Sequence, residues 1–152
     1  MAKIEVGAVR EFSGSGYPAP FRDLVRGRHS KALGDAGGLT QFGVKLVRLE
    51  PGAASSQRHW HEAEDEFVYM LDGELVLVES NGETRMVPGD AAAFPAGVAN
   101  GHHLVNRTNR DATFLVVGTR ASRERCHYPD LDLMFVADDV GERYTNRSGD
   151  AY

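Results

Sequence analysis

Turn-forming residues divide the chain from residue 51 onwards into short segments, and this division limits the possible folds more than any other feature. The segments between the turns are rich in Val, Leu, Phe and Tyr, a composition typical of β-strands. The turns recur at Pro51-Gly52, Asp72-Gly73, Asn81-Gly82, Pro88-Gly89, Pro95-Ala96-Gly97 and Asn109-Arg110-Asp111. Short strands separated at regular intervals predict an all-β fold, either a small antiparallel barrel or a sandwich.

The predicted elements divide the chain into three parts. Residues 1–38 contain many glycines and are predicted to form an arm with little regular structure, apart from a helical turn near residues 21–26. Residues 39–137 are predicted to form the barrel, and residues 138–152 a C-terminal tail. The predicted barrel strands are LTQFGVKLVRLE, SSQRHWH, EFVYML, ELVLVE, TRMV, DAAAFP, HHLVNR and ATFLVVGTR.

The composition allows one domain and argues against two classes of partner. A length of 152 residues with 41% hydrophobic residues suits a single core. A formal net charge of -5 leaves no basic face for DNA or RNA. No apolar run is long enough for a signal peptide or a membrane-spanning helix, so we expect a cytoplasmic protein that does not bind membranes.

The segment SSQRHWHEAEDEFVYML contains side chains typical of metal ligands. His59 and His61 are two residues apart, so on a strand both rings project from one face and form a chelating pair. The odd spacing to Glu66 would place it on the opposite face of an uninterrupted strand. The polar residues 62–65 are expected to break the strand, so that Glu66 returns on a neighbouring strand and faces the same interior.

A further histidine ligand is expected from the segment 88–106. His102 and His103 are adjacent, so on a strand only one of them can face inward. Periodicity alone does not indicate which one.

The two segments resemble the two motifs of the cupin superfamily. The first motif has a glycine, His-x-His, a glutamate and a second glycine, which correspond here to Gly52, His59, His61, Glu66 and Gly73. The second has a glycine, Pro-x-Gly, a histidine and an asparagine, which correspond to Gly89, Pro95, Gly97, His102 and Asn106. The motifs occur in the family's order over residues 52–106. The resemblance implies a jelly-roll barrel like that of the stand-alone, single-domain bacterial cupins, with one divalent metal ion inside.

The second motif departs from the family pattern at its histidine. The family has a metal-binding histidine after Pro-x-Gly and two intervening residues, and that position is Asn100 here. Counting back from Asn106 instead selects His102, with a loop two residues longer. Because register within a strand is stiffer than loop length, we favour His102 over His103 and Asn100 as the fourth ligand.

Three imidazoles and one carboxylate suit Fe, Mn, Ni, Cu, Co or Zn and leave an open position for water or a ligand. By strand alternation, the residues beside the ligands are predicted to be Gln57, Val68, Met70, Phe94 and Leu104, with Asn106 as a further polar candidate. This pocket is mostly apolar. No basic cluster is expected inside the barrel, which argues against a ligand that carries a phosphate.

Three functional hypotheses follow from this site. The first is a metal-dependent enzyme acting on a small organic molecule, of isomerase, oxygenase or lyase type. The second is a non-catalytic module that binds or senses a small molecule through the same metal, and the third is a barrel with a purely structural metal. Residues 75–78 and 114–117 are apolar on both strand faces, so we also expect a homodimer in which the arm or the strand of residues 39–49 reaches across.

Overall fold

The computed structural model describes residues 2–152 and consists almost entirely of antiparallel strands. The strands are β1 (Glu11–Ser13), β2 (Arg28–Ala32), β3 (Phe42–Leu49), β4 (Trp60–His61), β5 (Glu66–Asp72), β6 (Leu75–Glu79), β7 (Gly82–Met86), β8 (Ala91–Phe94), β9 (His103–Val105), β10 (Ala112–Thr119), β11 (Glu124–His127), β12 (Met134–Asp138) and β13 (Gly141–Thr145). Helical structure within this range comprises α1 (Leu33–Ala36) and single 3-10 turns at Val6–Ala8, Ala19–Phe21 and Asp23–Val25. None of these helices is long and apolar enough to cross a membrane.

Three sheets form the walls of the barrel. Their strand orders are β1-β2-β3-β10-β5-β8, β13-β12-β11-β4 and β7-β6-β9. Each pairing between neighbouring strands is antiparallel. The predicted all-β fold with antiparallel strands is therefore confirmed.

Side-chain alternation along β5 shows how the sheet divides the core from the outer face. Val68 and Met70 are buried, whereas Phe67 and Tyr69 between them are about 40% exposed. The buried side chains pack with residues of the facing strands into one main core. Its members are Val47, Leu49, Ala53, Val68, Met70, Leu75, Leu77, Met86, Leu104, Ala112 and Phe114.

The glycine of the β5–β6 turn is required by close packing. Gly73 has φ +76°, a backbone conformation that side chains with a Cβ rarely adopt. A Cβ at this position would lie 2.7 Å from the Cα of Ala112 on β10. The glycine therefore allows the turn to approach the start of a neighbouring strand.

The N-terminal segment differs from the expected irregular arm. β1 pairs with β2, and β2 pairs with β3, so both extend the six-stranded sheet. β2 has the sequence RHSKA, which lacks β-branched and aromatic residues and gives little strand signal by itself. Its pairing to the edge of β3 supplies the backbone hydrogen bonds that the local sequence does not predict.

The C-terminal segment also forms more regular structure than a tail. β13 pairs with β12, and β12 with β11, which in turn pairs with β4. This sheet covers a second, smaller core of Tyr17, Val25, Cys126, Tyr128 and Leu133. It thereby closes the barrel beside the histidine-containing strand β4.

Candidate metal centre

Backbone pairing brings the two histidine-containing segments together. The N–H of His59 donates to the carbonyl oxygen of His102 at 3.1 Å, and the N–H of His102 donates to the carbonyl oxygen of His59 at 2.9 Å. Both side chains are buried. His61 lies two residues further on, opposite Cys126 of β11. Because alternate residues of an extended segment share a face, His59 and His61 point into the barrel together.

The three imidazole rings converge on Glu66, the first residue of β5. The Nε2 atoms of His59, His61 and His102 lie 3.4, 3.4 and 3.3 Å from its Oε2 atom. The structure thus brings together the four side chains that the sequence suggests as metal ligands. Ligand atoms of His59, Glu66 and His102 all lie within 4.8 Å of one another.

The hydrogen bonds of the Nδ1 atoms of His59 and His102 indicate that Nε2 is the ring nitrogen free to bind a cation. Nδ1 of His59 lies 2.9 Å from the carbonyl oxygen of Gln57, and Nδ1 of His102 lies 3.2 Å from that of Asn100. A carbonyl oxygen can only accept a hydrogen bond, so each Nδ1 carries the proton. In the neutral rings, the Nε2 lone pairs then point towards the carboxylate of Glu66. Lone pairs and a carboxylate that face one another need a positive charge between them, and a divalent ion would supply it. The residues fit a metal.

His61 differs from the other two histidines in the surroundings of its Nδ1 atom. Its Nδ1 is buried without a hydrogen-bond partner among residues 2–152. The nearest acceptors are Oε1 of Glu124, at 3.7 Å, and Oε2 of Glu64, at 4.0 Å. Glu124 is buried on β11, and its carboxylate accepts the N–H groups of Glu62 at 2.9 Å and Ala63 at 3.0 Å. Glu124 therefore fixes the loop after His61 and places a negative charge behind its ring.

Burial and the neighbouring side chains shift the pKa values of Glu66 and His61 in opposite directions. Burial raises the pKa of Glu66, but the hydrogen bonds that its carboxylate accepts from His102, His59 and His61 when their Nε2 atoms carry protons outweigh burial and hold that pKa well below its usual value. Burial lowers the pKa of His61, whereas Glu66 and then Glu124 raise it, so that the pKa of His61 is raised on balance. Glu66 therefore stays ionised, and protons compete with a cation for the rings.

The two alternative residues for the fourth ligand lie outside the cluster. Nδ1 of His103 donates to the carbonyl oxygen of Ser56 at 2.9 Å. The side-chain amide of Asn100 donates to Glu79 at 2.8 Å, and its oxygen accepts the N–H of Ser80 at 3.1 Å. Neither side chain joins the group around Glu66, whereas His102 does.

The cluster opens on a cavity of about 730 Å³ inside the barrel. Val68, Phe94 and Leu104 line this cavity, where strand alternation placed them. The Phe94 ring stacks on His102 with centroids 3.5 Å apart. Met70 does not line it, because it lies deeper on β5 and is fully buried in the core.

The other two predicted pocket residues have structural contacts instead of facing the cavity. The Gln57 amide donates to the carbonyl oxygen of Phe21 at 3.0 Å. Asn106 is fully buried, and its amide donates to the carbonyl oxygens of Leu49 at 2.9 Å and Arg110 at 2.7 Å. Asn106 therefore holds the turn before β10.

The expectation that the barrel holds no basic cluster is wrong. Arg28 of β2 and Lys45 of β3 both line the cavity. Lys45 alternates with the buried Val47 and Leu49, and this pattern could have placed it on the inner face. Arg28 gave no such signal, because its segment resembles an irregular arm.

Three further cavity residues come from segments that were not predicted as strands or site loops. Glu124, Cys126 and Tyr128 alternate along β11 and beyond, and all three face the cavity. The Sγ atom of Cys126 lies within 4.8 Å of ring nitrogens of His59 and His61. Burial raises the pKa of this thiol, so it remains protonated, as expected for an unreactive buried cysteine.

The chain is thus a small antiparallel β-barrel whose inner wall carries a candidate metal site of three histidines and one glutamate. The Cupin_2 family, described as a cupin domain, matches residues 45–118. The chain belongs to the cupin superfamily. The observed antiparallel sheets are those of a cupin jelly-roll barrel, which confirms the fold predicted from the two motifs.

Solved structures place the chain more closely within this family. A cupin-superfamily sugar phosphate isomerase from Silicibacter pomeroyi is 53% identical, with a TM-score of 0.94, and the match covers 99% of this chain and 96% of that one. A protein from Acidithiobacillus ferrooxidans, for which the same activity has been proposed, is 31% identical with a TM-score of 0.75, and the match covers 83% of this chain and 81% of that one.

A more distant structure shares the fold alone. The polyketide cyclase RemF from Streptomyces resistomycificus is 23% identical, with a TM-score of 0.64, over 78% of this chain and 79% of that one. Among proteins of curated function, no similar sequence was found.

Proposed function

We propose that this protein is a metal-dependent isomerase that interconverts the aldose and ketose forms of a small sugar phosphate. The observation that carries the proposal is the convergence of His59, His61, His102 and Glu66 at the wall of an internal cavity. The 53% identity to a protein named as a sugar phosphate isomerase supports the choice of reaction. Among the isomerase, oxygenase and lyase types that the sequence left open, isomerisation is therefore the one that we propose.

The four ligands would hold one divalent ion, and that ion would act as a Lewis acid on the carbonyl and hydroxyl oxygens of the sugar. Aldose–ketose isomerisation moves one proton between adjacent carbons and one between their oxygens, with no net oxidation. The chain must therefore supply a group that takes up and returns a proton.

Glu64 is the best candidate for that group. It lines the cavity, and its Oε2 atom lies 4.0 Å from Nδ1 of His61. Its Oε1 atom accepts the N–H of Ala121 at 2.9 Å, which orients the carboxylate. Burial raises the pKa of Glu64, so it is a stronger base than an exposed glutamate. Glu124 is less suitable, because both of its oxygens already accept backbone N–H groups.

The test is the isomerisation of aldose phosphates by metal-loaded protein, followed in D₂O by deuterium entry at the carbon next to the carbonyl. Glu64→Gln is expected to lower turnover by about 10²- to 10⁴-fold and to leave the metal content unchanged. Glu62→Gln, in the same loop but ion-paired with His127 at the surface, is the control. Full turnover in Glu64→Gln would exclude Glu64 as the base. Ligand binding without turnover in the wild type would favour the binding-module alternative.

Metal stoichiometry tests the centre separately. Elemental analysis should find one divalent ion per chain in the wild type and a loss of that ion in His61→Ala. A His61→Ala protein that retains a full complement of metal would contradict the proposed ligand set.

We also infer that the protein forms a homodimer through the outer face of the six-stranded sheet. Phe67, Tyr69 and Leu71 of β5 are 41%, 40% and 43% exposed on this face. They adjoin Leu115 and Val117 of β10, which oppose Tyr69 and Phe67. Large exposed apolar patches of this kind are typical of interfaces between subunits. Light scattering at micromolar concentration should give a dimer, and Tyr69→Glu should give a monomer. A monomeric wild type would contradict this inference.

A further inference from the structure

Two basic side chains project from the six-stranded sheet into the same cavity as the metal centre. Arg28 is the first residue of β2, and Lys45 lies on β3, where Ala32 and Lys45 are paired. Ser30 lies between them along the inner face of β2 and opposite Val47. The three polar side chains therefore form one wall of the cavity.

Both cations lack the carboxylate partners that several other arginines of this protein have. Among residues 2–152, neither Arg28 nor Lys45 forms an ion pair with a carboxylate. Within the described part of the chain, the Arg28 guanidinium donates only to the hydroxyl of Ser30 at 3.2 Å and the carbonyl oxygen of Gly14 at 3.5 Å. Arg120, which lines the same cavity, is by contrast paired with Asp35.

Placing two like charges at one wall without a counterion is unfavourable. Desolvation at the cavity wall lowers the pKa of the half-buried Arg28 and of Lys45, which is still exposed to solvent, and the charge of Arg28 lowers the pKa of Lys45 further. For Lys45 the charge of Asp35 and then that of Glu66 offset this effect only partly, and for Arg28 the charge of Glu66 does so too. An anion that enters the cavity would relieve the repulsion and would gain charge-assisted hydrogen bonds from both groups.

We propose that Arg28 and Lys45 form the subsite that holds the phosphate group of the substrate, while its carbonyl end reaches the histidine cluster. This assignment rests on the proposed isomerase function and adds the residues that select a phosphorylated sugar over a neutral one. Arg28 is suited to a bidentate contact with two phosphate oxygens, and Lys45 supplies a point charge. Ser30 can donate its hydroxyl to a third oxygen.

The test uses the full-length protein and inorganic phosphate as the probe. Calorimetric titration is carried out at constant ionic strength, with metal-loaded and with chelator-treated protein, because phosphate can also bind a metal ion directly. Arg28→Gln and Lys45→Gln are each expected to weaken phosphate binding by about tenfold or more in both forms, a change that corresponds to about 1.4 kcal/mol. Their metal content should be unchanged.

Matched controls lie on the outer faces of the same two strands. Lys31→Gln on β2 and Arg48→Gln on β3 remove one positive charge each without touching the cavity, and both should bind phosphate like the wild type. Lys45→Arg keeps the charge and should retain most of the affinity. If Arg28→Gln does not fold, Arg28→Lys and Lys45→Gln still test the subsite.

The outcomes separate the subsite from the isomerase proposal. Phosphate binding that is lost in the cavity variants, in a protein without isomerase activity, supports the subsite and contradicts the isomerase. Wild-type phosphate affinity in both cavity variants, or equal turnover of phosphorylated and neutral sugars, overturns the subsite even if isomerisation occurs. Equal loss in the outer-face controls also overturns it, because the effect would then reflect net charge.

Discussion

Glu124→Gln tests whether a residue that binds no metal itself sets the affinity of the centre. The Glu124 carboxylate lies 3.7 Å from Nδ1 of His61 and is buried, with an exposed fraction of 4%. Two unit charges at about 4 Å interact by about 1 kcal/mol in water and about 4 kcal/mol near a protein surface. An imidazole that binds a metal gains only part of a positive charge, so the change should lie towards the lower of these values.

We therefore expect Glu124→Gln to weaken metal binding by about 10- to 100-fold, the range found for partners behind a ligating histidine. The measurement is a competition between the protein and a coloured chelator for Zn²⁺ or Co²⁺. Glutamine retains an oxygen that can accept one N–H from Glu62 or Ala63, so the loop should remain in place. Circular dichroism and thermal unfolding verify that the variant is folded.

Glu62→Gln is the matched control, because Glu62 also pairs with a histidine. Its Oε1 atom lies 2.6 Å from Nε2 of His127, but the pair is at the surface and away from the cluster. This variant should bind metal within about twofold of the wild type, since exposed ion pairs contribute little. Wild-type affinity in Glu124→Gln, or an equal loss in Glu62→Gln, would refute the role of Glu124.

Three further predictions address pH, the turn before β6 and the buried amide. The pKa of His61 is raised in the folded, metal-free protein, so its contribution to stability is present below the ordinary value of 6.5 and is lost as pH rises through the raised value. The gain in melting temperature on adding metal should therefore grow as the pH rises from below 6.5 through the raised pKa of His61, and a constant gain would contradict this. Gly73→Ala should lower the free energy of unfolding by about 1–3 kcal/mol in denaturant titrations, because of its positive φ and the contact with Ala112; an unchanged midpoint would show that the turn adapts. Asn106→Ala removes the side-chain donor to the buried carbonyl oxygen of Leu49 and one of two side-chain donors to that of Arg110, which the Thr108 hydroxyl also contacts, so it should lower the free energy of unfolding by about 1–3 kcal/mol while metal content stays the same; loss of metal from folded protein would instead assign Asn106 to the site.

The sequence indicates the inner faces of the strands more reliably than the depth of each residue. Alternation along β5 correctly separates Val68 and Met70 from the exposed Tyr69. Alternation does not show that Met70 is buried in the core away from the cavity. That position depends on how the facing strands pack over β5. The same limit applies to Asn106, whose position in the motif suggests the pocket but whose amide is used by backbone carbonyl groups.

Residues that reach the site from distant segments were the hardest to predict. Register within the strand favours His102, and the structure places His102 in the cluster because the backbone bonds to His59 fix its face. Glu124 approaches His61 only because β11 pairs with β4, a pairing that has no local signal. Arg28 enters the cavity because β2 adds to an edge of the sheet through backbone hydrogen bonds, which depend little on side-chain identity.

The paired backbone bonds between His59 and His102 also have a consequence for the order of folding. The two residues belong to segments far apart in the sequence, so their pairing closes a long loop and is a late, non-local event. A complete set of ligands exists only after that closure. Full metal affinity should therefore appear only once the barrel has closed, because His59 and His61 alone offer just two of the four ligands.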